Sequence, residues 1–212
     1  MIADDATLRD DGLAAPRAGS DSGRVLVIGC GALAREILAV IEANGLAHVD
    51  LTCLPAILHN SPEKIVPAME AAIAKHRAAY ETIFVAYADC GTGGALAALC
   101  AREGIEMIEG PHCYSFFDGN EAFAARGEVT SFYLTDFLTR QFEAFVIKPL
   151  GLDRYPDLTE TYFGNYEKLV YLAQTDDPAL DTQARAAADR LGLAFERRFT
   201  GYGDLAPALS TL

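Results

Sequence analysis

The stretch TIFVAYADCGTGGA, residues 82–95, decides the fold that this sequence predicts. It opens with a short apolar run, Ile83 to Ala86, whose residue types are typical of a buried β-strand. A glycine-rich turn, CGTGG at residues 90–94, separates this strand from a helical pattern that starts at Ala95. In open α/β sheets the ligand crevice lies outside the carboxyl ends of the strands. Cys90, at the end of this strand, is therefore the first candidate for a functional site.

The same order of strand, small-residue turn and helix recurs along the chain. Apolar runs predict strands at residues 25–28, 49–54, 82–86, 105–108, 168–172 and 194–199. Helical spacing of apolar residues lies between most of these runs. Repeated units of this kind pack as parallel strands joined by right-handed crossovers. We therefore predict an α/β fold with a doubly wound, mostly parallel, Rossmann-like sheet and helices on both faces.

Composition predicts one folded region and a tail. Residues 1–23 are polar, rich in Asp and interrupted by Gly and Ser, without apolar periodicity. This composition is typical of a disordered acidic tail. The remaining residues, 24–212, have the length of one domain with a proper core, and we expect a single α/β domain there.

Charge and hydropathy exclude several classes of partner. The chain carries a net charge of −13, whereas nucleic acids and anionic membranes bind proteins through a basic face. No apolar run reaches the roughly 18 residues of a membrane span, and the N-terminus lacks the basic start and apolar core of a signal peptide. We therefore predict a cytoplasmic protein that binds neither nucleic acid nor membranes. Five cysteines in such a chain indicate thiols or metal ligands rather than disulfides.

Two glycine-rich turns are candidates for cofactor binding. Gly29 and Gly31 belong to a loose G-x-G-x-x-A pattern, which docks a dinucleotide pyrophosphate on a helix N-terminus. Gly91, Gly93 and Gly94 form the corresponding turn after the strand at 82–86, where glycine lets a backbone approach a ligand closely.

A dinucleotide site also needs an acidic residue about 20 residues further on, at the end of the second strand. That strand end reads Leu51-Thr52-Cys53-Leu54 and has no carboxylate. The residues favour an ordinary tight turn, and an NAD(P)- or nucleotide-binding oxidoreductase stands as the alternative function.

Cysteine and histidine residues follow several of the predicted strands. Cys30 and Cys90 each end a strand and precede a glycine at a helix start, where a thiolate is stabilised. His59 follows the second strand, and His112 and Cys113 follow the strand at 105–108. If the sheet order brings these loops together, three thiolates and an imidazole would suit zinc or an iron-containing centre. Buried free cysteines are also common small hydrophobic residues, so the spacing leaves both interpretations open.

The middle of the chain is rich in aromatic residues, from Tyr114 to Tyr166. We expect most of them in the core or in an interface. They would be consistent with a flat cofactor such as a corrinoid or a porphyrin, although they do not indicate one. A further alternative is a non-catalytic subunit whose aromatic region binds a partner protein.

Four short elements occur in a recognisable order. They are Cys30 after the first strand, Leu-His-Asn followed by Ser-Pro-Glu at 58–63, Tyr-Ala-Asp-Cys-Gly at 87–91, and Pro-His-Cys at 111–113. This order resembles the uncharacterised bacterial and archaeal family known as domain of unknown function 1638. That family shows Leu-His-Asp/Asn before Pro-Glu, then Tyr-Gly-Leu-Cys-Gly and Pro-Arg-x-His-Asp-Cys. Here Ala-Asp replaces Gly-Leu and the last element is shorter than in the family, so either His59 or His112 can complete the ligand shell.

The resemblance implies that Cys30, His59, Cys90 and Cys113 form the site of the family. Members are often encoded beside corrinoid-dependent methyltransferases of the trimethylamine and glycine-betaine type. The resemblance thus implies a role in one-carbon metabolism, as an enzyme of corrinoid-linked methyl transfer or as an accessory to it. A corrinoid protein or a methyltransferase is the partner it implies. Our leading expectation is a metal- or cofactor-binding protein with its Cys/His site at the C-terminal edge of a parallel sheet.

Overall fold

The computed structural model describes residues 3–15 and 24–212. Its strands are β1 (Leu13–Ala15), β2 (Val25–Cys30), β3 (Val49–Leu54), β4 (Thr82–Ala86), β5 (Glu106–Met107), β6 (Ser131–Leu134), β7 (Lys168–Ala173) and β8 (Ala194–Phe199). Its α-helices are α1 (Asp5–Asp10), α2 (Ala34–Ala43), α3 (Ile65–His76), α4 (Ala95–Glu103), α5 (Ser115–Asp118), α6 (Asn120–Arg126), α7 (Asp136–Arg140), α8 (Leu158–Phe163), α9 (Pro178–Leu191) and α10 (Leu205–Ser210). The predicted α/β class is confirmed.

The chain divides into two compact units. The first comprises Met1–Phe116 and Asp204–Leu212, and the second comprises Phe117–Gly203. The predicted strands are therefore shared between two sheets, one in each unit. The repeated strand–turn–helix pattern did not show this division, because it is a local signal and does not encode which strands pair.

Parallel strands dominate the sheet of the first unit, which has the spatial order β1-β3-β2-β4-β5. Strands β2 to β5 run parallel, whereas β1 is antiparallel to β3. Nearly every residue of β2, β3 and β4 is buried. Strands covered by helices on both faces require such continuous apolar runs, which is why these three were readable in the sequence.

Helices cover both faces of this sheet. Helix α2 connects β2 to β3, whereas α3 and α4 cross the sheet in the opposite direction, from β3 to β4 and from β4 to β5. Right-handed crossovers place such opposite connections on opposite faces. The contacts of α3 with α4, and of α2 with α10, agree with this division. The arrangement is the doubly wound one that the sequence predicts.

The order of the strands creates a switch point between β2 and β4. These two strands are neighbours, but the chain leaves β2 towards β3 on one side and leaves β4 towards β5 on the other. Loops that part in this way leave a crevice at the carboxyl ends of the two strands. Cys30 is the last residue of β2, and Cys90 lies four residues beyond the end of β4, so both belong to the loops that border the crevice.

The prediction of a disordered tail is wrong for the part of the tail that the structure describes. Asp4 caps α1, because its Oδ1 accepts the Thr7 backbone N–H at 2.8 Å. Leu8 is fully buried, and β1 pairs with β3 in the register Leu13 to Cys53. A helix of six residues with a single buried residue is too short to show apolar periodicity. The other residues of the predicted tail, 1–2 and 16–23, lie outside the described residues.

The second unit has its own parallel sheet, in the order β6-β7-β8. Its core packs residues of β7 such as Leu169 and Tyr171 against α9 and the segment 142–152. Strand β6 was not predicted from the sequence. The helix predicted from Asp136 onward ends as α7 at Arg140, and a π-helical turn follows at Glu143–Ile147.

Membrane spans were also sought among the described residues. In residues 3–15 and 24–212 no helix combines the length and the apolar composition that crossing a bilayer requires.

Candidate functional site

Side chains from four consecutive parallel strands meet at the C-terminal edge of the first sheet. Cys30 ends β2, His59 lies in the 3₁₀ turn Ala56–Asn60 after β3, Cys90 follows β4, and Cys113 follows β5. We call these four residues the thiol cluster. Electrostatic and hydrogen-bonding contacts link all four of them. The structure thus brings together residues that the sequence could only place after separate strands.

Backbone hydrogen bonds hold Cys90 beside Cys113. The N–H of Asp89 donates to the Gly110 carbonyl, and the N–H of Cys90 donates to the Pro111 carbonyl, each at 3.0 Å. These two bonds tie the loop after β4 to the loop after β5. As a result, the Sγ atoms of Cys90 and Cys113 are 3.5 Å apart, within hydrogen-bond distance for sulfur.

The backbone at Cys90 is in the left-handed region, with φ of +46°. Among the described residues it is the one non-glycine residue with positive φ. Such a conformation costs about 1–3 kcal/mol and persists only where the surrounding structure holds it. The holding contacts are the Cys90 N–H bond to Pro111 and the packing of Gly91 near Pro62. The strain turns the Cys90 side chain into the cluster.

Cys30 and Tyr87 lie side by side on neighbouring strands. Gly29 pairs with Ala86 in the β2–β4 register, so the next residue of each strand continues this pairing. Tyr87 is almost completely buried, and its hydroxyl interacts with the Cys30 thiol. Burial raises the pKa of Tyr87, and the nearby thiols raise it further. The hydroxyl therefore stays protonated as a donor towards the sulfur.

The Cys90 thiol is unusually acidic. Its hydrogen bond with Cys113 lowers the pKa of Cys90 most strongly, burial opposes this, and the imidazole of His59 adds to the lowering, so that the pKa reaches about 5. The same contact with Cys90 raises the pKa of His59. The lowered pKa of Cys90 and the raised pKa of His59 both favour a thiolate beside an imidazolium.

Cys113 supplies the proton of this hydrogen bond. Its contacts with Cys30 and Cys90 raise the pKa of Cys113, whereas the pKa of Cys30 is lowered by the contact with Cys113. One thiol carries one proton and can donate to only one sulfur at a time. We assign Cys113 as the donor and the Cys90 sulfur as the acceptor, because the 3.5 Å contact and the neighbouring His59 both favour the thiolate at Cys90.

His112 lies next to the cluster but has a different environment. Its ring stacks on Tyr114 with centroids 4.9 Å apart. Its Nδ1 is buried and has no hydrogen-bond partner among the described residues. Burial lowers the pKa of His112, so the ring is neutral at physiological pH. His59, which is partly solvent-exposed, is therefore the imidazole that contacts a thiol directly.

Gly29 and Gly31 have packing roles in this structure. A Cβ at Gly31 would lie 2.1 Å from the Leu8 carbonyl oxygen of α1, and one at Gly29 would lie 2.8 Å from Cδ1 of Ile37. The first helix of the chain, α1, therefore packs closely against the turn after β2. The need for small residues here comes from this close approach.

The Asp89 carboxylate accepts hydrogen bonds from backbone amides of the second glycine-rich turn. It accepts hydrogen bonds from the Thr92 hydroxyl at 2.7 Å and from the N–H groups of Gly93 and Gly94 at 3.1 and 2.7 Å. Gly91, Gly93 and Gly94 all have positive φ, which explains the glycines. The amides of Gly93 and Gly94, which could have cradled an anionic cofactor, are thus bound by a carboxylate of the chain itself.

Sequence reasoning missed Tyr87 and Asp89 as parts of the site. Both lie between the strand β4 and Cys90, in a segment that the sequence analysis took only as the link between the strand and the glycine-rich turn. A tyrosine at the end of a buried strand needs a partner for its hydroxyl, and this was the available signal for Tyr87. Asp89 three residues before Thr92 in a glycine-rich turn is typical of a side chain that bonds to nearby backbone amides. The other two cysteines, Cys53 and Cys100, are buried in β3 and α4.

The donor set suits a thiophilic metal, although it is not closed around a metal position. Two sulfurs bound tetrahedrally to one zinc at 2.3 Å would lie about 3.8 Å apart, close to the 3.5 Å between Cys90 and Cys113. Within residues 3–15 and 24–212, however, no group of three or more His, Cys, Asp or Glu side chains is arranged so that it could hold a metal ion. Binding would therefore require deprotonation of the thiols and movement of side chains in the thiol cluster.

Fold and site together define a Rossmann-like α/β protein with a Cys/His cluster at the switch point of a parallel sheet. The chain belongs to the family described as protein of unknown function (DUF1638), whose sequence model matches residues 53–209. His59, Cys90, His112 and Cys113 fall inside the matched range, and Cys30 precedes it. No curated protein and no solved structure matches the chain.

Proposed function

We propose that this protein binds a metal ion, either zinc or an iron-containing centre, through the thiol cluster. The observation that carries the proposal is the meeting of three thiols and an imidazole from four strand ends. Cys30, Cys90 and Cys113 would be the thiolate ligands, and His59 the nitrogen ligand. The low pKa of Cys90 supports this assignment, because thiolates rather than thiols bind metals. A bound metal would lower the pKa of a thiol or water that it coordinates.

Metal analysis of protein purified without a His-tag tests the proposal. We expect about one metal ion per chain, and a loss of most of it in Cys90→Ser. Cys100→Ser is the matched control, because Cys100 is also buried in the first unit but belongs to α4 outside the cluster. A content well below one metal per chain, or equal contents in the two variants, would contradict metal binding.

The nitrogen ligand can be identified separately. His59→Gln should weaken metal retention against a chelator, whereas His112→Gln should leave it close to the wild-type value. The reason is that His59 contacts Cys90, while His112 stacks on Tyr114 and makes no hydrogen bond to a thiol. The opposite result would transfer the ligand role to His112.

The same proposal includes a role in corrinoid-linked methyl transfer in the cytoplasm. All five cysteines are unpaired thiols, as in proteins of reducing compartments. A thiolate-bound zinc can activate a thiol acceptor for a methyl group, which connects the site to the role that the resemblance implies. Incubation with a cobalamin should change the visible spectrum of the corrinoid, and Cys90→Ser should abolish the change. An unchanged spectrum with the metal-loaded protein would remove the corrinoid from the proposal.

Exposed tyrosines in the second unit favour a partner-binding function as a second candidate. Tyr155 is 60% exposed and Tyr162 is 44% exposed, both within the aromatic region. Large exposed aromatic side chains are enriched in protein interfaces. This function predicts co-purification with another protein, lost in a Tyr155→Ser, Tyr162→Ser double variant and retained in Cys90→Ser. A partner that is lost in Cys90→Ser would instead belong to the thiol cluster.

A further inference from the structure

The closest pair in the thiol cluster has the geometry of a dithiol that is ready to be oxidised. The sulfurs of Cys90 and Cys113 are 3.5 Å apart, and a disulfide bond is about 2 Å long. The backbones are already neighbours, because the Cys90 N–H bonds to Pro111, two residues before Cys113. Rotation of the two side chains is the movement that would close the remaining distance.

We propose that Cys90 and Cys113 form a peroxide-reactive dithiol, which hydrogen peroxide or an organic hydroperoxide converts reversibly to a disulfide. This activity goes beyond metal binding and does not depend on it. Cys90 is the attacking residue, since it is held in a strained conformation in contact with His59. Cys90 itself is 5% exposed, whereas Cys113 and His59 beside it are more exposed, so their side of the cluster is the route for a small peroxide.

The chemistry requires two steps. In the first, the Cys90 thiolate attacks one peroxide oxygen, the O–O bond breaks, and the departing hydroxide takes a proton from solvent, which leaves a sulfenic acid on Cys90. In the second, the Cys113 sulfur attacks the Cys90 sulfur, the S–O bond breaks, and the hydroxide leaves as water with the proton of Cys113. Together the two thiols lose two electrons, and hydrogen peroxide is reduced to two molecules of water.

The other three cysteines are less suited to this reaction than the Cys90–Cys113 pair. Burial raises the pKa of Cys53 and of Cys100, which disfavours the nucleophilic thiolate in both. Cys30 also contacts Cys113, so a disulfide between Cys30 and Cys113 is the competing outcome. The Cys90–Cys113 pairing is favoured because its sulfurs are within hydrogen-bond distance and its backbones are tied together.

The test uses the reduced, full-length chain after chelation of metals, treated with hydrogen peroxide and mapped by mass spectrometry. We expect two of the five thiols to disappear together and one cross-linked pair of peptides, carrying Cys90 and Cys113, to form. A reductant should restore both thiols. Oxidation of Cys90 should be at least about ten-fold faster than that of Cys100, because only thiolates react appreciably with peroxides.

Three variants separate the steps. Cys113→Ser should stop the reaction at the Cys90 sulfenic acid, which dimedone traps, whereas Cys90→Ser should prevent the disulfide. Cys100→Ser should behave as the wild type. Equal rates at Cys90 and Cys100, or a disulfide that joins another pair, would overturn the proposal.

Added zinc distinguishes this proposal from metal binding. If both are correct, zinc should slow the oxidation of the wild-type chain, because the thiolates are then occupied. If zinc has no effect while the Cys90–Cys113 disulfide forms, the dithiol is supported and the metal site is contradicted.

Discussion

At the scale of single residues, the site depends on one strained position. Cys90 adopts a left-handed backbone and contacts Cys113 and His59, which together favour its thiolate. The contribution of each neighbour is physically distinct. Cys113 donates a hydrogen bond to the sulfur, whereas His59 places a positive charge beside it. Both effects outweigh the burial that would otherwise keep the thiol protonated.

This residue predicts a pH dependence in the metal-free protein. The pKa of Cys90 is lowered to about 5, below its ordinary value, so the thiolate is present at neutral pH and is lost as the pH falls through about 5. The ultraviolet absorbance of thiolates, followed during an acid titration of the folded protein, measures this. Cys90→Ser should remove the step, and Cys100→Ser should leave it in place. A first thiolate signal that appears only at alkaline pH would contradict the assignment.

At the scale of elements, two tertiary contacts fix the ends of strands, one in each unit. In the first unit, α1 lies over the turn after β2, with the Leu8 carbonyl directly above Gly31. In the second unit, the buried Asp136 after β6 joins the end of β7 through Tyr171 and Thr175. Each contact ties a short helix to the carboxyl end of a parallel sheet.

Gly31→Ala should destabilise the protein. The added Cβ would lie 2.1 Å from a backbone oxygen that cannot move alone, and overpacking of this kind costs about 1–3 kcal/mol. Gly29→Ala is the matched control, because its nearest atom is the flexible end of Ile37 and the side chain can rotate away. Urea unfolding of both variants measures the difference. Equal losses would show that α1 does not pack over the turn as described.

Asp136→Asn should destabilise the second unit. The carboxylate is 1% exposed and accepts hydrogen bonds from the Tyr171 hydroxyl, the Gln174 and Thr175 N–H groups and the Thr175 hydroxyl. An amide loses acceptor capacity and adds donors, at a cost of about 3 kcal/mol. Asp189→Asn, on the exposed side of α9, should change the unfolding free energy little. A loss no larger than that of the control would contradict a structural role for Asp136.

At the scale of the whole molecule, charge decides which partners can approach. The chain has 30 acidic and 17 basic residues, and many of the basic ones are bound in ion pairs, such as Arg198 with Glu128 and Asp118. A molecule with this excess of acidic residues repels polyanions. We therefore predict that the protein binds neither nucleic acids nor anionic membranes.

Electrophoretic mobility and vesicle sedimentation check this prediction. At neutral pH and physiological salt, neither DNA nor vesicles of anionic lipid should bind the protein, because both would require a basic face. Solubility should pass through a minimum near the isoelectric point of about 4.6, where repulsion between molecules is least. Salt-sensitive binding to either polyanion would contradict the prediction.

The sequence by itself determined the α/β class, six of the eight strands found in the described part of the chain, and the presence of a cysteine or histidine at or after the ends of four strands in the first unit. These are local signals, since apolar runs and small-residue turns depend on neighbouring residues. Only the tertiary structure decided that the strands form two sheets, that β1 pairs with β3 in the first of them, and that the Asp89 carboxylate binds the amides of the glycine turn. It also decided that Cys90 and Cys113 lie 3.5 Å apart. The physical reason is that strand order and side-chain contacts arise from pairings between residues distant in the chain, which no local pattern encodes.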